Sequence, residues 1–141
     1  MKKDIEKIKF LLNEKDFRAT DQRVELLRVL ALDHKPVTLK TIMQKMKSTS
    51  AHEVTLYRML ASFKEAGLVR QIDFGDAVPY FELADHDHDH HHIICTSCKK
   101  VSDFVGCGVE TVAKKALLQS KEFAHITNHS FELFGLCKNC A

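Results

Sequence analysis

The sequence lacks the features that mark several large classes of protein. No apolar run in its 141 residues approaches the roughly 20 that a membrane-spanning helix needs. No basic segment followed by an apolar one opens the chain, so we expect a cytoplasmic protein with no membrane partner. We find no internal repeat, and no HExxH helix or other catalytic signature that would support an enzyme.

The distribution of charge along the chain and the chemistry of the cysteines say more than the totals do. The formal net charge is only +2, but seven of the nine histidines lie in residues 84–141, while residues 1–83 carry the net positive charge. This asymmetry hints at two halves. In a reducing cytoplasm, five cysteines are better thiolate ligands than disulfide partners.

The first half of the chain has apolar residues at helical spacing. A first helix is predicted around residues 5–12, and Thr20 and Thr38 can cap a second and a third. A fourth helix begins at the capping box Ser50-Ala-His-Glu53 and ends at Gly67. It carries the apolar residues Leu56, Leu60 and Phe63 on one stripe.

After these helices the apolar period changes to two. Segments 68–74 and 78–83 flank a turn that needs the permissive backbone of Gly75, which predicts a β-hairpin. Helices followed by a hairpin are the winged-helix order. The second half predicts strands at 93–94, 101–105 and 126–136 with a helix at 109–120. The fold class is therefore α+β, with a winged-helix domain at 1–83, a hinge at 84–92 and a small α/β domain at 93–141.

Two CxxC motifs, Cys95–Cys98 and Cys137–Cys140, are the strongest signal in the sequence. Two intervening residues let both thiolates of a turn point at one ion, and two such turns complete the tetrahedral shell of structural zinc. A redox pair is the alternative, but such a pair usually opens a helix, whereas each motif follows a predicted strand. For Cys107, outside both motifs, a buried small thiol is the simpler interpretation; a metal ligand or an oxidation-sensitive thiol is the alternative.

A histidine-rich segment, HDHDHHHIIC at 86–95, precedes the first motif. On a strand, alternate residues share a face. His88, His90 and His92 then point one way, and Asp87, Asp89 and His91 the other. Imidazole with carboxylate suits Fe(II), Mn(II) or Zn(II) without choosing sharply among them. The alternative is a solvated linker that binds metal loosely. The position of the segment argues against it, because the segment lies between the wing and the second sheet, where a bound ion would set their relative angle.

Several segments together resemble the ferric uptake regulator family of metal-responsive bacterial repressors. They are FRATDQR (17–23), TLYRMLASFKEAGLV (55–69), YFEL (80–83), HHHIICTSCKKVSDF (90–104) and NHSFELFGLCKNC (128–140). Their order and spacing cover nearly the whole chain. The resemblance implies a homodimer that binds double-stranded operator DNA, and a C-terminal dimerisation domain that holds structural zinc.

The resemblance also implies ligands, carried over position by position. The regulatory metal site falls on Glu82, His90, His92 and Asp103. An additional site falls on Asp89, His91, Glu110 and His129. These sets use opposite faces of the histidine-rich segment, in agreement with the alternation. His34 and His88 are further candidate ligands.

Some positions depart from the family pattern. The family often has a histidine just before the third helix, where this chain has Pro36, and His34 lies two residues earlier. Zinc-uptake regulators often have a cysteine at the position of Glu82. Glu82 is the residue type of the family's iron sensors, whereas Asp103 is that of its peroxide sensors. The regulatory metal therefore stays open among iron, manganese and zinc.

The fourth helix carries the candidate DNA contacts. Tyr57 and Arg58 lie on the helix that a winged-helix protein inserts into the major groove, where Arg can bond bidentately to guanine and Tyr can pack on a thymine methyl. The alternative for Tyr57 is a half-buried core aromatic, but the resemblance favours contact. Lys15 matches a lysine that in the family enters the minor groove. Thr55, His52 and Arg70 are candidate backbone contacts.

These observations favour a metal-responsive transcriptional repressor of metal-uptake or stress genes, with iron as the favoured signal. A peroxide-sensing or zinc-sensing member is the alternative within the family. A metalloenzyme would need an open coordination position beside an acid or base. A metal-storage module would explain the histidines but not the winged helix.

Overall fold

The chain folds into two compact units, residues 1–85 and 86–141. The computed structural model describes residues 2–33, 35–46, 51–75, 77–84, 90–127, 129 and 131–141. Each unit combines helix with a three-stranded sheet, so the predicted α+β class is confirmed. Within the described ranges, no helix has the length and apolar character needed to cross a membrane.

Four helices build the first unit. They are α1 (Lys2–Glu14), α2 (Asp21–Leu32), α3 (Leu39–Lys45) and α4 (Glu53–Glu65). Their apolar stripes meet in one core that includes Leu12, Leu26 and Phe63, each fully shielded from solvent. The predicted cap of α3 is confirmed, because the Thr38 hydroxyl accepts a hydrogen bond from the Thr41 N–H at 3.3 Å. Thr20 occupies the N-cap position of α2.

The start of α4 differs from the prediction. A capping box at Ser50 would begin the helix at residue 51, but α4 begins at Glu53 with His52 as its N-cap residue. Ser50 itself lies outside the described residues. Because the helix starts two residues later, Glu53 is its first residue rather than its third. At that position the Glu53 carboxylate interacts favourably with the positive N-terminal end of the helix dipole.

The end of α4 is fixed by Gly67. Gly67 has φ +73°, and its N–H bonds to the Lys64 carbonyl at 3.0 Å. The Leu68 N–H bonds to the Phe63 carbonyl at 2.8 Å. These two bonds form a Schellman motif, which satisfies the last carbonyls of the helix and turns the chain into the next strand.

The first sheet contains the predicted hairpin and one strand that was not predicted. The strands are β1 (Val37–Thr38), β2 (Val69–Asp73) and β3 (Pro79–Leu83), arranged in the order β1-β3-β2 and all antiparallel. The Gly75 N–H donates to the Asp73 carboxylate at 2.7 Å, and Gly75 has φ +74°, as the hairpin turn requires. Four helices with this hairpin form the winged-helix unit.

The second unit is smaller and more open. Its elements are β4 (His90–Cys95), β5 (Val101–Val105), α5 (Val109–Gln119) and β6 (Glu132–Gly135). The sheet order is β5-β4-β6; β4 is antiparallel to β5 and parallel to β6. Because β4 begins at His90, the last three histidines of the tract lie on a strand, and the proposed hinge at 84–92 overlaps that strand.

The last strand is shorter than predicted. Of the segment 126–136, only Glu132–Gly135 forms a strand, because pairing with β4 runs only from His92 opposite Glu132 to Cys95 opposite Gly135. An alternating apolar pattern predicts an extended chain, but a strand also needs a neighbour to pair with. The chain before Glu132 instead brings His129 beside β4.

Candidate metal centres and nucleic-acid interface

Each CxxC motif lies in a tight turn at the end of a strand. Cys95 ends β4, and its carbonyl accepts a hydrogen bond from the Lys99 N–H at 3.0 Å, with Lys99 in the left-handed region at φ +61°. In the second turn, the Cys140 N–H donates to the Cys137 carbonyl at 2.9 Å.

Parallel pairing brings the two turns together. Cys95 is opposite Gly135, and the Thr96 N–H continues the ladder to the Gly135 carbonyl at 2.8 Å. As a result, the sulfurs of Cys98 and Cys137 lie 3.7 Å apart, and all four sulfur atoms lie within 4.8 Å of one another. Four thiolates around a tetrahedral zinc ion are separated by about 3.8 Å, so the cluster fits zinc. The cysteines are unbridged, since a disulfide would need about 2 Å between sulfurs.

The electrostatics of the cluster also favour a cation. Hydrogen bonds from the backbone N–H groups of Cys98 and Cys137 lower the pKa of the Cys95 thiol to about 6. At Cys140, a hydrogen bond with Ser97 lowers the pKa, but the neighbouring thiols of Cys137 and Cys98 outweigh it and raise the pKa to about 11. One thiolate is therefore stabilised in advance, while the crowded set needs a cation before all four sulfurs ionise.

The histidines of β4 lie on two faces of the strand. The rings of His90 and His92 are neighbours, 5.4 Å apart and perpendicular. His92 on β4 is directly opposite Asp103 on β5, and the Nε2 atom of His92 lies 3.8 Å from the Asp103 carboxylate. His92 is only 2% exposed. Three of the four predicted regulatory ligands therefore share one face of the second sheet.

Glu82, the fourth predicted regulatory ligand, lies in the first unit, on β3. It is buried, and directly opposite Arg70 on β2, whose Nε lies 3.3 Å from the Glu82 carboxylate. The Nε and Nη2 atoms of Arg70 are shielded from solvent, although 36% of its side chain is exposed. A DNA-backbone contact by Arg70 stays a prediction. The role of Glu82 beside His90 and His92 stays a prediction from the sequence.

The other face of β4 places His91 beside two residues from distant parts of the chain. Its ring lies 5.2 Å from that of His129, and the aromatic rings of Phe104 and Phe131 enclose it at 5.5 and 5.6 Å. The Cys107 sulfur lies 4.0 Å from Nε2 of His129. Donor atoms of His91, Cys107 and His129 all lie within 4.8 Å of one another.

The predicted membership of this second set is only partly matched. Glu110 is exposed in the first turn of α5 and is not among the three grouped donors of the described chain. Asp89 lies outside the described residues, as do His34 and His88. Among the described residues, Cys107 joins His91 and His129 in the group. The sequence signal for Cys107 is its place between Gly106 and Gly108. Both glycines have positive φ, +80° and +65°.

The candidate DNA contacts lie on the exposed side of α4. Leu56 and Leu60 face the core, whereas Thr55, Tyr57 and Arg58 face solvent. Tyr57 is 43% exposed, so it is not a core aromatic. Lys15, exposed just after α1, and His52, exposed at the N-cap of α4, are also accessible.

A winged-helix unit with an exposed helix, joined to a unit with clustered metal ligands, defines the class of metal-responsive DNA-binding regulators. The model of the ferric uptake regulator family matches residues 14–134. The chain therefore belongs to the ferric uptake regulator family, whose members are transcriptional regulators rather than enzymes.

Individual proteins agree with this assignment. The peroxide-responsive repressor of Staphylococcus epidermidis is 32% identical over 131 residues, which cover 92% of this chain and 85% of that protein. The ferric uptake regulator of Francisella tularensis, solved with iron, is 28% identical with a TM-score of 0.71, covering 88% of this chain and 94% of that one. The ferric uptake regulator of Helicobacter pylori, at 20% identity, shares the fold with a TM-score of 0.75 over 99% of this chain and 92% of that one.

Proposed function

We propose that the protein is a cytoplasmic, homodimeric repressor that binds operator DNA when Fe(II) occupies a site made by His90, His92, Asp103 and Glu82. The observation that carries this proposal is the placement of two imidazoles and a carboxylate on one face of β4 and β5. Nitrogen and oxygen donors without thiolate suit Fe(II) and Mn(II), whereas the four-cysteine cluster suits zinc. One chain thus separates a structural metal from a regulatory one.

The proposed switch depends on where the ligands come from. His90, His92 and Asp103 belong to the second unit, and Glu82 to the first, so an ion bound by all four would favour one arrangement of the two units. That arrangement is the one that places two winged helices on successive major grooves. The coupling is reciprocal, so DNA must also tighten metal binding by the same factor.

A set of alanine variants tests the proposal. Fluorescence anisotropy would follow binding to a duplex pool selected with the Mn(II)-loaded protein, across a titration of Mn(II) and of anaerobic Fe(II). His90→Ala and His92→Ala should lose metal-stimulated binding while remaining dimeric. His125→Ala, which removes an exposed histidine outside both sets, is the control and should behave as wild type. Equal small effects at all three positions would show that the tract binds metal without regulating the protein.

Peroxide sensing is the second candidate function. The similarity to a peroxide-responsive repressor favours it, as does the carboxylate of Asp103, which is the shorter residue found in the family's peroxide sensors. Peroxide oxidises Fe(II) but not Mn(II). Peroxide should therefore release the Fe(II)-loaded protein from DNA and leave the Mn(II)-loaded protein bound; release of neither form would remove this candidate.

Dimerisation is proposed from the apolar surface of the second unit. No residue of α5 is buried, and large apolar side chains are exposed on it and beyond it, among them Leu118 at 87% and Phe123 at 69%. A patch of this kind on a small unit indicates a protein interface. A second copy of the chain is the partner that the family resemblance implies.

Sedimentation equilibrium tests the dimer. Leu118→Glu places a charge on the proposed interface and should shift the zinc-loaded protein toward monomer. Phe10→Glu makes the same kind of change at an exposed position of α1 in the first unit, and should leave the dimer intact. Unchanged mass of Leu118→Glu would place the interface elsewhere.

A further inference from the structure

The face of β4 opposite the proposed regulatory site carries a second set of donors that is chemically different. Cys107 comes from the turn between β5 and α5, His91 is the second residue of β4, and His129 comes from the chain leading into β6. The Cys107 sulfur and the His129 Nε2 are 4.0 Å apart. In a tetrahedral zinc site, donors are separated by about 3.3–3.8 Å, so these atoms need only small movements to share one ion.

The state of His91 is an independent indication of a ligand. Its side chain is 95% shielded from solvent, with Phe104 and Phe131 against its ring. Its Nε2 is buried and finds no hydrogen-bond partner anywhere in the described part of the chain. Buried polar atoms are normally satisfied, so an imidazole nitrogen without a hydrogen bond, in a side chain grouped with a thiol and a second imidazole, is suited to bind a metal ion.

We propose that His91, Cys107 and His129 form a metal site of one thiolate and two imidazoles, which takes Zn(II) and excludes Fe(II) and Mn(II). A thiolate ligand shifts the preference of a site toward softer metals, whereas the His90, His92 and Asp103 face has only nitrogen and oxygen donors. On binding, the metal–sulfur bond forms as the Cys107 thiol releases its proton to water. Neighbouring residues of one strand, His91 and His92, thereby serve different metals.

This assignment differs from the ligands that the family resemblance implied. That set used the carboxylates of Asp89 and Glu110, which would have given a second site of nitrogen and oxygen donors. Glu110 is exposed on α5, while the sulfur of Cys107 stands with the two imidazoles. The proposal does not rest on the regulatory role of His90 and His92 and can fail or succeed without it.

Cobalt spectroscopy of the full-length protein tests the site. The protein would first be dialysed against a mild chelator until one equivalent of zinc remains in the four-cysteine cluster, and then titrated with Co(II). Wild type should develop thiolate-to-cobalt charge-transfer absorption with its zinc retained. Cys107→Ser should lose that absorption and bind this cobalt about 10-fold or more weakly. His90→Ala is the matched control and should keep the absorption.

The contrary results are equally clear. Absence of the absorption in wild type, or its survival in Cys107→Ser with the structural zinc still bound, would overturn the proposal. Cobalt binding that His90→Ala abolishes and Cys107→Ser does not would assign the metal to the other face.

A second measurement, which leaves Cys107 in place, covers the case in which Cys107→Ser fails to fold. Iodoacetamide labelling of Cys107 would be followed by mass spectrometry. Zn(II) should slow the labelling at least several-fold and Mn(II) should not. His129→Ala, which removes one donor without touching the thiol, should abolish the zinc protection. Equal labelling rates with and without Zn(II) in wild type would mean that Cys107 is only a packed thiol.

Discussion

Three consecutive residues of α4 show how much the surroundings of single side chains differ along one element. Leu56 is 1% exposed in the core, while Tyr57 and Arg58 extend into solvent from the next positions of the helix. Large exposed side chains on the helix that a winged-helix protein inserts into the major groove are available for base contacts. An Arg there can bond bidentately to guanine.

Arg58→Ala should weaken operator binding by about 1–3 kcal/mol if the contact is bidentate to guanine. The variant should keep its zinc content and the proposed dimeric state, because the Arg58 side chain is exposed. Anisotropy at one fixed salt concentration measures the effect. Lys121→Ala removes the same charge from an exposed position after α5, so it controls for net charge. Equal affinities of Arg58→Ala and Lys121→Ala would remove Arg58 from the recognition surface.

The sequence predicted residues well where local spacing carries the information. Two residues between cysteines predicted each turn, and strand alternation predicted that His91 and His92 face opposite ways. It could not predict that Cys107 joins His91 and His129, because that grouping depends on the path of the chain between β5 and α5. The positive φ of Gly106 and Gly108 sets this path, and the sequence shows only two glycines.

At the scale of elements, the junction between α4 and β2 depends on one glycine. Gly67 has φ +73°, and a methyl group added there would meet no atom within 4 Å. Any cost of Gly67→Ala therefore comes from the backbone conformation and not from a clash.

Gly67→Ala should destabilise the first unit by about 1 kcal/mol, the typical cost of a left-handed conformation for a residue with a Cβ. Urea denaturation followed by circular dichroism measures this change. Gly135→Ala is the control, because Gly135 also has open space around its Cα but is not among the glycines with positive φ. A stability of Gly67→Ala equal to that of wild type would mean that the helix end can relax.

The elements that could not be predicted from the sequence are those whose bounds depend on contacts with other parts of the chain. The two residues of β1 become a strand only by pairing with Tyr80 and Phe81 of β3, about 40 positions later in the chain. The start of α4 was misplaced because a capping motif shows where a helix can begin, and the chain around His52 selects a later start. Long apolar stripes carried enough local information to place the four helices of the first unit.

At the scale of the whole molecule, different interactions stabilise the folded state of each unit. The first has a continuous apolar core drawn from four helices and a sheet. In the described part of the second unit, Ile94 and Cys95 are the buried apolar residues, and the other two buried residues are His91 and His92. A unit with so small a core needs a metal or a partner to fold.

Thermal unfolding should therefore show two transitions. The transition of the first unit should not depend on protein concentration. That of the second should move to higher temperature as concentration rises, because in the proposed dimer only the folded form of this unit binds its partner. Strong chelation, or Cys98→Ser, should lower the second transition and leave the first in place, since structural zinc contributes directly to folding. Calorimetry over a range of protein concentrations measures both transitions. A single transition whose temperature does not change when zinc is removed would contradict the four-cysteine site.

The parallel pairing of β4 with β6 also bears on the speed of folding. The hairpin of β2 and β3 joins near neighbours in sequence, whereas the Cys137 N–H meets the Cys95 sulfur across 42 residues. Closing so long a loop is slow, because its entropy is lost before the contacts of the strand pair are gained. Cys95 and Cys98 are close in sequence and can hold an ion first, and Cys137 and Cys140 then complete its shell. Zinc would thus act as a nucleus, and its supply would set how quickly a newly made chain becomes a regulator.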